Sequence, residues 1–585
     1  MNRVKQKEAL MRKIALSAIV GLVLLASLNA VNMQKTFSRD SSEYQATYAL
    51  CISSGVLPPS SVTPVTGAEL AAALSRIPYE LLNNAERAVY DELLDALEYH
   101  PLLEYDLFGM DPNPTIGLDM FAQSAILQSE KDILFPREDR TEVLSLSFDF
   151  KFADSGYGFV DWLMLSPMIT DYSGKHFDTN LNKLIEGDIL ATIHEGTLDA
   201  GILFGNNWMN FSIMSARQEQ GYGHTGNLAL GDNLRRQQYM RFHTFSKWFD
   251  YTYTLTRYSK MTYDSGSSNN LRLISQDESF ELPQQVFPLH RFDFKIKDRF
   301  SISVVEGAMM LVDSVFDVRM LNPFLFIHGF DNYADSTQIS DRGDEANNIL
   351  LLEFGYTFLP HHRINLNLMS DQIQVGGESK AMPNAFAALL NYETSWIVDR
   401  FYLTGWVEAA YTMPATYLNN KMRGADYDPN YDFIVGYPLW GYDNGLNGDI
   451  DYAGYKYGPD SIVVGLGLEF GELNTFSLSA NINYIIHGHY GLGYDYTVAA
   501  RGDDANDPYN PDDVTKLPLS VPIADAEHRI EASLRSTFVL VDGLTFDTGI
   551  GVLQAWNYAL DKGKNFFDVQ LYIGLSFDPV RMFTD

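Results

Sequence analysis

Cysteine is almost absent from this sequence, whose 585 residues contain only one. A single thiol cannot pair within its own chain, so a disulfide-stabilised scaffold is excluded. Positive charge is also scarce, since 42 Lys and Arg stand against 75 Asp and Glu, for a formal net charge of −33. Nucleic acid is a polyanion, and this charge balance excludes it as a partner. Beyond residue 30 there is no apolar run of about 18 residues, which excludes a bundle of transmembrane helices.

The one strongly hydrophobic stretch lies at the N-terminus. Basic residues between Arg3 and Lys13 precede an apolar core at residues 14–25, and small residues follow it up to Ala30. This pattern predicts a secretory signal peptide over residues 1–30 that is removed on export. The alternative is an N-terminal membrane anchor, for which the apolar core is short.

Residues 31–114 are predicted to form a helical periplasmic segment followed by a linker. Thr66 and Glu69 have the spacing of a capping box, which starts a helix. Asn84 is predicted to cap a later helix. Prolines make 101–114 the expected linker. Whether the helical part would plug a barrel or lie below it stays open.

From residue 115 onward the hydrophobic period changes from 3.6 to 2. Leu144 begins one alternating run and Val569 another, each with apolar and polar side chains on opposite faces. Such two-faced runs predict β-strands, and a soluble β-sandwich would also show them. Export and the lengths of the connections favour a membrane barrel instead.

Short and long connections alternate along the chain, as in outer-membrane barrels with short periplasmic turns and long external loops. Eight short turns are predicted, near residues 155–156, 206–207, 247, 297–298, 360–362, 399–400, 473–474 and 542–543. With a first strand near 115–127 and a last near 567–578, they predict an all-β outer-membrane barrel of about 18 antiparallel strands over residues 115–585. Counting a competing turn signal at Glu195-Gly196 together with Asn206-Asn207 would break the parity, so one of the two is interpreted as a bulge or kink.

Catalytic motifs are not evident, and we expect no enzyme activity. His487 and His489 share a strand face, but no third metal ligand accompanies them. The sequence therefore predicts neither a cofactor nor a metal site.

The stretch 411–461 is rich in aromatic and acidic residues, with nine tyrosines, Trp440 and seven aspartates. Aromatic faces stack on sugar rings, and carboxylates accept hydrogen bonds from hydroxyls, so a saccharide site here is chemically plausible. The same residue types also fill ordinary external loops and interfacial belts.

Segment 208–246 resembles the Wzi family of capsule-assembly outer-membrane proteins. The resemblance rests on Ala216-Arg217, then Tyr222-Gly223, then the stretch 226–233. The sequence departs from the family pattern at three positions. Tyr222 replaces the usual Trp, Ala216 replaces Gly, and Gly231 replaces Ser. Shorter similarities lie at residues 289–293, 321–324 with His328, and 457–461. Residues 41–77 resemble the N-terminal helical part of the family in their general pattern.

This resemblance implies an eighteen-stranded barrel, a periplasmic helical bundle and a lectin-like, non-catalytic role in organising surface polysaccharide. The expected partners are surface polysaccharide and outer-membrane lipid, and the protein is expected to be a monomer in the outer membrane. Candidate polysaccharide-binding residues are the polar groups of the matched islands and two aromatic residues of the long loop: Arg217, Tyr222, His224, Asn227, Arg236, Arg241, His290, Arg291, Asp293, Trp440, Tyr442, Tyr457 and Asp460.

The sequence is also compatible with two other functions. A porin or solute channel of this width would hold a water-filled lumen. An adhesin acting through protein partners would share the same external loops. For each candidate residue, the structural alternative is a lumenal network of salt bridges that stiffens the barrel.

Overall fold

The computed structural model shows a closed antiparallel barrel of eighteen strands with a small helical segment at its N-terminus. It describes residues 32–125, 132–136, 139–164, 176–181, 197–234, 236–259, 261–263, 271–273, 284–312, 346–372, 385–414, 416–417, 433–438, 448–488 and 526–584. The predicted signal peptide lies outside the described residues.

The barrel strands follow one another around the barrel in chain order. They are β1 (Phe108–Gln123), β2 (Leu144–Phe152), β3 (Gly156–Met164), β4 (Thr197–Gly205), β5 (Met209–Ala216), β6 (Gln237–Thr244), β7 (Phe249–Tyr258), β8 (Gln284–Ile296), β9 (Phe300–Val312), β10 (Ala346–Leu359), β11 (His362–Gln372), β12 (Ala385–Val398), β13 (Phe401–Thr412), β14 (Ser461–Glu472), β15 (Phe476–His487), β16 (Glu527–Val541), β17 (Leu544–Trp556) and β18 (Asn565–Phe577). Pairing of β18 with β1 closes the barrel. The helices are α1 (Ser42–Ser53), α2 (Gly67–Leu74), α3 (Asn84–Ala96) and a terminal α4 (Pro579–Thr584).

All eight predicted short turns join consecutive strands, which confirms the alternation of short and long connections. The turn at Asn206-Asn207 connects β4 to β5, while Glu195-Gly196 lies outside the described residues. In outer-membrane barrels the short turns face the periplasm, so this end is the periplasmic end of the lumen.

The first strand begins at Phe108, and the prediction that it starts at residue 115 after a linker is wrong. Pro112 and Pro114 lie inside it and pair with β2. On the other edge of β1, pairing with β18 begins only at Ile116. Pro112 and Pro114 therefore have no β18 residue beside them. Proline has no N–H to donate and is tolerated at such a free edge.

The outward faces of the strands are apolar. Leu118, Ile213, Leu390, Leu466 and Ile550 keep about half of their surface exposed, in alternation with lumenal residues. A closed sheet with this outer face satisfies its backbone groups within lipid.

Within the described residues, no helix has the length and apolarity needed to cross a membrane.

The N-terminal helices begin at specific caps. Thr66 and Glu69 form the predicted capping box. The cap of α3 is Asn83 rather than the predicted Asn84, and its side chain accepts from the N–H groups of Ala85 and Glu86. An extended backbone at Asn83 lets the side chain reach those free N–H groups.

The helical segment enters the barrel and closes its periplasmic end over β10–β14. Tyr48 on α1 donates to Glu393 on β12 at 2.6 Å. Thr357 on β10 donates to the Val56 carbonyl at 3.2 Å. Apolar side chains of α1 pack against Ile397, Tyr402 and Leu473 near the short turns. The segment is therefore a plug and does not hang below the barrel.

An apolar core fills the outer half of the lumen over β8–β15. Inward-facing strand residues there pack against residues 228–234 and parts of 413–457. We call this core the outer apolar layer: Leu228, Leu230, Leu234, Leu289, Val305, Met309, Ile349, Leu351, Met369, Leu389, Ala410, Tyr417, Phe433, Tyr455, Val463 and Ile485. Charged residues lie between this layer and the plug.

Candidate functional site in the lumen

The alternation of connections predicts a long external loop between the short turns at 206–207 and 247, but this connection, between β5 and β6, folds into the lumen. We call residues 217–234 the inward loop. On one side Gln218 and Gln220 donate to Thr256 and Thr254 of β7, at 2.9 and 3.1 Å. On the other side the loop reaches β12 and β13. It therefore crosses the lumen and meets the plug halfway.

His224 of this loop contacts the barrel wall at β12 and β13. Its Nε2 lies 2.7 Å from Glu393 Oε1, and Glu393 also accepts from Tyr48 of the plug. The imidazole stacks on Trp406, with ring centres 4.6 Å apart and planes 5° apart. One carboxylate thus joins the plug, the inward loop and the wall.

Glu408 holds the backbone of the same turn. Its two carboxylate oxygens accept from the N–H groups of His224 and Thr225, at 2.9 and 2.7 Å. Thr225 Oγ1 also lies 2.8 Å from the Tyr455 hydroxyl. Charge-assisted bonds of this kind are about twice as strong as neutral ones, and they fix the loop in the lumen.

Glu219 and Asn227 connect the inward loop to the plug. Glu219 accepts from Asn227 at 2.7 Å and from Arg39 at 3.3 Å. Glu219-Gln220 also pairs as a short strand with Val62-Thr63. Burial raises the pKa of Glu219 to about 7, although Arg39 lowers it.

The second resembling island, on β8, forms an ion-pair network. Arg291 donates to Asp293 at 3.0 Å and to Glu353 at 2.5 Å. His290 lies on the other face of β8 and pairs with the Tyr251 hydroxyl at 2.9 Å. Arg291 and His290 are both buried.

Most of the remaining candidates are also held inside the protein. Arg236 pairs with Asp199, and Arg241 donates to the carbonyl of Pro64 in the plug. Asp460 is fully buried, and its carbonyl accepts from the Gly488 N–H at 2.8 Å. Trp440 and Tyr442 lie outside the described residues.

Two candidates remain accessible near the outer end. Arg217 directly follows β5, is 38% exposed and pairs with Asp139 at 3.1 Å. Tyr457 is half-buried, donates to Glu531 at 2.9 Å and carries the Lys456 ammonium over its ring. A guanidinium and a cation-flanked aromatic ring are groups that can contact hydroxyls and ring faces of a sugar.

Sequence reasoning missed the wall residues that hold the inward loop: Arg363, Glu393, Trp406 and Glu408. A charge in the middle of an alternating strand does signal a lumenal position. No sequence signal pairs those charges with residues 222–225, about 140 to 190 positions away. Within the described part of the chain, no group of three or more His, Cys, Asp or Glu is arranged to hold a metal.

The closed sheet, lipid-facing band and filled lumen define an outer-membrane β-barrel protein. No protein-family profile matches the sequence, and no curated relative is found. Among solved structures, the chain is similar to Wzi, an outer-membrane protein involved in group 1 capsule assembly in Escherichia coli and a carbohydrate-binding β-barrel. Identity is 12% and the TM-score 0.50, over 94% of this chain and 99% of that one.

Two further solved structures match at lower similarity. OccK3 of Pseudomonas aeruginosa shows 7% identity and a TM-score of 0.36, over 80% of this chain and 95% of that chain. OprD of the same organism shows 8% identity and a TM-score of 0.35, over 80% and 94%.

Proposed function

We propose that this protein is a Wzi-like barrel that binds or organises surface polysaccharide rather than a channel. The observation that carries the proposal is the outer apolar layer. A buried core of leucine, valine, methionine and tyrosine side chains inside a barrel is incompatible with a water-filled pore at that level. The barrel is then a rigid scaffold for its external loops.

The similarity to Wzi supports the ligand class. That protein is a carbohydrate-binding barrel, and the overlap extends over nearly the full length of both chains. The local resemblance at residues 208–246 falls on the inward loop, which joins the plug, wall and external stretch 413–457. We therefore infer that the inward loop positions the external residues. Arg217 and Tyr457 are the residues that we expect to contact saccharide. Catalysis has no part in this role.

Binding of the purified full-length chain to surface polysaccharide from its own source tests the proposal. We expect binding that Arg217→Ala and Tyr457→Ala each weaken several-fold. Lys247→Ala is the matched control, because Lys247 is an exposed cation at a periplasmic turn, where it pairs with Asp298. Equal loss in all three variants, or no binding by the unmodified protein, would overturn the proposal.

A further inference from the structure

The lumen is filled unevenly, and one wall is left to water. Along β11–β13, lumenal residues Arg363, Glu393 and Thr404 are fully buried beneath the plug. Along β15–β18, lumenal residues in the periplasmic half remain partly accessible. Their neighbours Ile482 and Leu534 point outward and are exposed on the lipid face. Since the accessible polar residues face inward, the surface they expose lines a space inside the barrel.

Small polar side chains line this space. They are Ser477, Ser479, Asn481, Ser533, Thr537 and Ser576. Ser477 and Ser576 each lie one residue from the periplasmic end of their strand, so the polar wall begins at the periplasmic rim. We call the space bounded by this wall the chamber.

A segment of the first external loop closes the chamber on the outer side. The Leu134 N–H donates to Gln570 at 2.7 Å, and the Thr141 N–H donates to the Tyr572 hydroxyl at 2.9 Å. Arg535 donates to the Asp139 carbonyl at 2.6 Å. The segment is therefore fixed to β16 and β18 by side chains from the wall itself.

Phe135 is the apolar anchor of that segment. It is buried and stacks on Tyr572, with ring centres 6.1 Å apart. The wall provides its space through Gly549 and Gly551, since a Cβ on Gly549 would lie 2.5 Å from the Phe135 ring. Glycine at this strand position leaves the space that the phenylalanine ring occupies.

We propose that the chamber is a second binding site, reached from the periplasm, for neutral polyhydroxylated ligands such as an oligosaccharide. Its hydroxyl and amide groups both donate to and accept from sugar hydroxyls. Glu469 on the neighbouring strand β14 and Asp547 on β17 place two carboxylates at this wall, against the single guanidinium of Arg535. This charge disfavours acidic ligands. The chamber proposal does not rest on saccharide binding at the outer surface, although Arg217 pairs with Asp139 of the closing segment.

Single-cysteine labelling of the full-length chain tests access to the chamber. The native Cys51 is fully buried and provides an unreactive background. Ser533→Cys and, nearer the rim, Thr537→Cys are the test variants. Val463→Cys, in the outer apolar layer, is the buried control. The probe is a maleimide too large to cross an intact outer membrane.

We expect Ser533→Cys and Thr537→Cys to react in detergent and in cells with a permeabilised outer membrane, but not in intact cells. Maltohexaose should slow the reaction several-fold, whereas a galacturonic acid oligomer of equal length should not. Failure of both test variants to react in detergent would overturn the chamber. Reaction in intact cells would show that the chamber is open on its outer side. Absence of protection by maltohexaose would show that the chamber does not bind neutral oligosaccharides.

Discussion

The guanidinium of Arg363 lies 4.1 Å from the centre of the Tyr222 ring, and this contact joins the barrel wall to the inward loop. The Tyr222 hydroxyl donates to the Pro59 carbonyl of the plug at 2.8 Å. Burial raises the pKa of Tyr222 to about 12 against the lowering effect of Arg363, so the phenol stays neutral and remains a donor. Tyr222 is thus a junction of all three parts that fill the lumen.

Removal of the Tyr222 ring should loosen that junction. Tyr222→Ala is expected to cost about 3 kcal/mol, because it leaves a cavity and an uncovered guanidinium. Tyr222→Phe, which keeps the ring over Arg363, should cost about 1 kcal/mol for the lost hydrogen bond. Guanidinium unfolding of the purified barrel measures both. Equal costs for the two variants would show that the cation–ring contact contributes little.

The junction between plug and wall at Glu69 gives a second prediction. Glu69 Oε1 lies 2.7 Å from His243 Nδ1, and Oε2 accepts from Asn210 at 3.0 Å. Breaking a buried pair by removing one charge costs about 3 kcal/mol or more, so Glu69→Gln should destabilise by that amount. Glu92→Gln, on the exposed face of α3, is the control and should change little. The free energy of unfolding of each variant checks this.

The contact between Glu69 and His243 should weaken only when the pH is low. Burial raises the pKa of Glu69, but His243 and further hydrogen bonds lower it more, to about 2. A lowered folded-state pKa stabilises above the unfolded value of 4.5, and this stabilisation is lost as the pH falls toward 2. The unmodified chain should therefore lose stability below about pH 4.5, and Glu69→Gln should lose less over the same interval.

Glu219 has the opposite pH dependence. Burial raises its pKa to about 7 despite Arg39, so its stabilising effect is greatest below 4.5 and lost as the pH rises through 7. Protease resistance of the plug should fall between pH 5 and 8 in the unmodified chain, and Glu219→Gln should flatten this change. An unchanged slope in the variant would assign the pH dependence to another group.

The outer closure of the chamber is testable through Gly549. Gly549→Val should displace Phe135 and make a cysteine at position 533 reactive in intact cells. Gly405→Val is the matched control, since a Cβ there meets its nearest atom, on Thr394, at an ordinary 3.7 Å. If the cysteine at position 533 reacts equally in the Gly549→Val and Gly405→Val proteins, Phe135 does not close the outer side of the chamber.

The barrel was predictable from the sequence because strand alternation and turn chemistry are local. Asp542-Gly543 and Lys297-Asp298 mark turns through residues that adopt positive φ, at Gly543 and at both residues of the second pair. The start of β1 was not predictable in this way, since the register of β18 decides where prolines are tolerated. The folding of residues 217–234 into the lumen depends on Glu393 and Glu408, which are distant in sequence. The alternation of short and long connections predicts an external loop there and carries no information about those partners.

Single-channel recording of the purified full-length chain in a planar bilayer tests the central claim most directly. With the outer apolar layer, the segment around Phe135 and the plug all in place, we predict a bilayer that stays electrically silent after insertion of the protein. Insertion is verified by recovering the folded barrel from the same membrane. A steady, ohmic pore in the full-length protein would contradict the account, because ions cannot cross a packed apolar core.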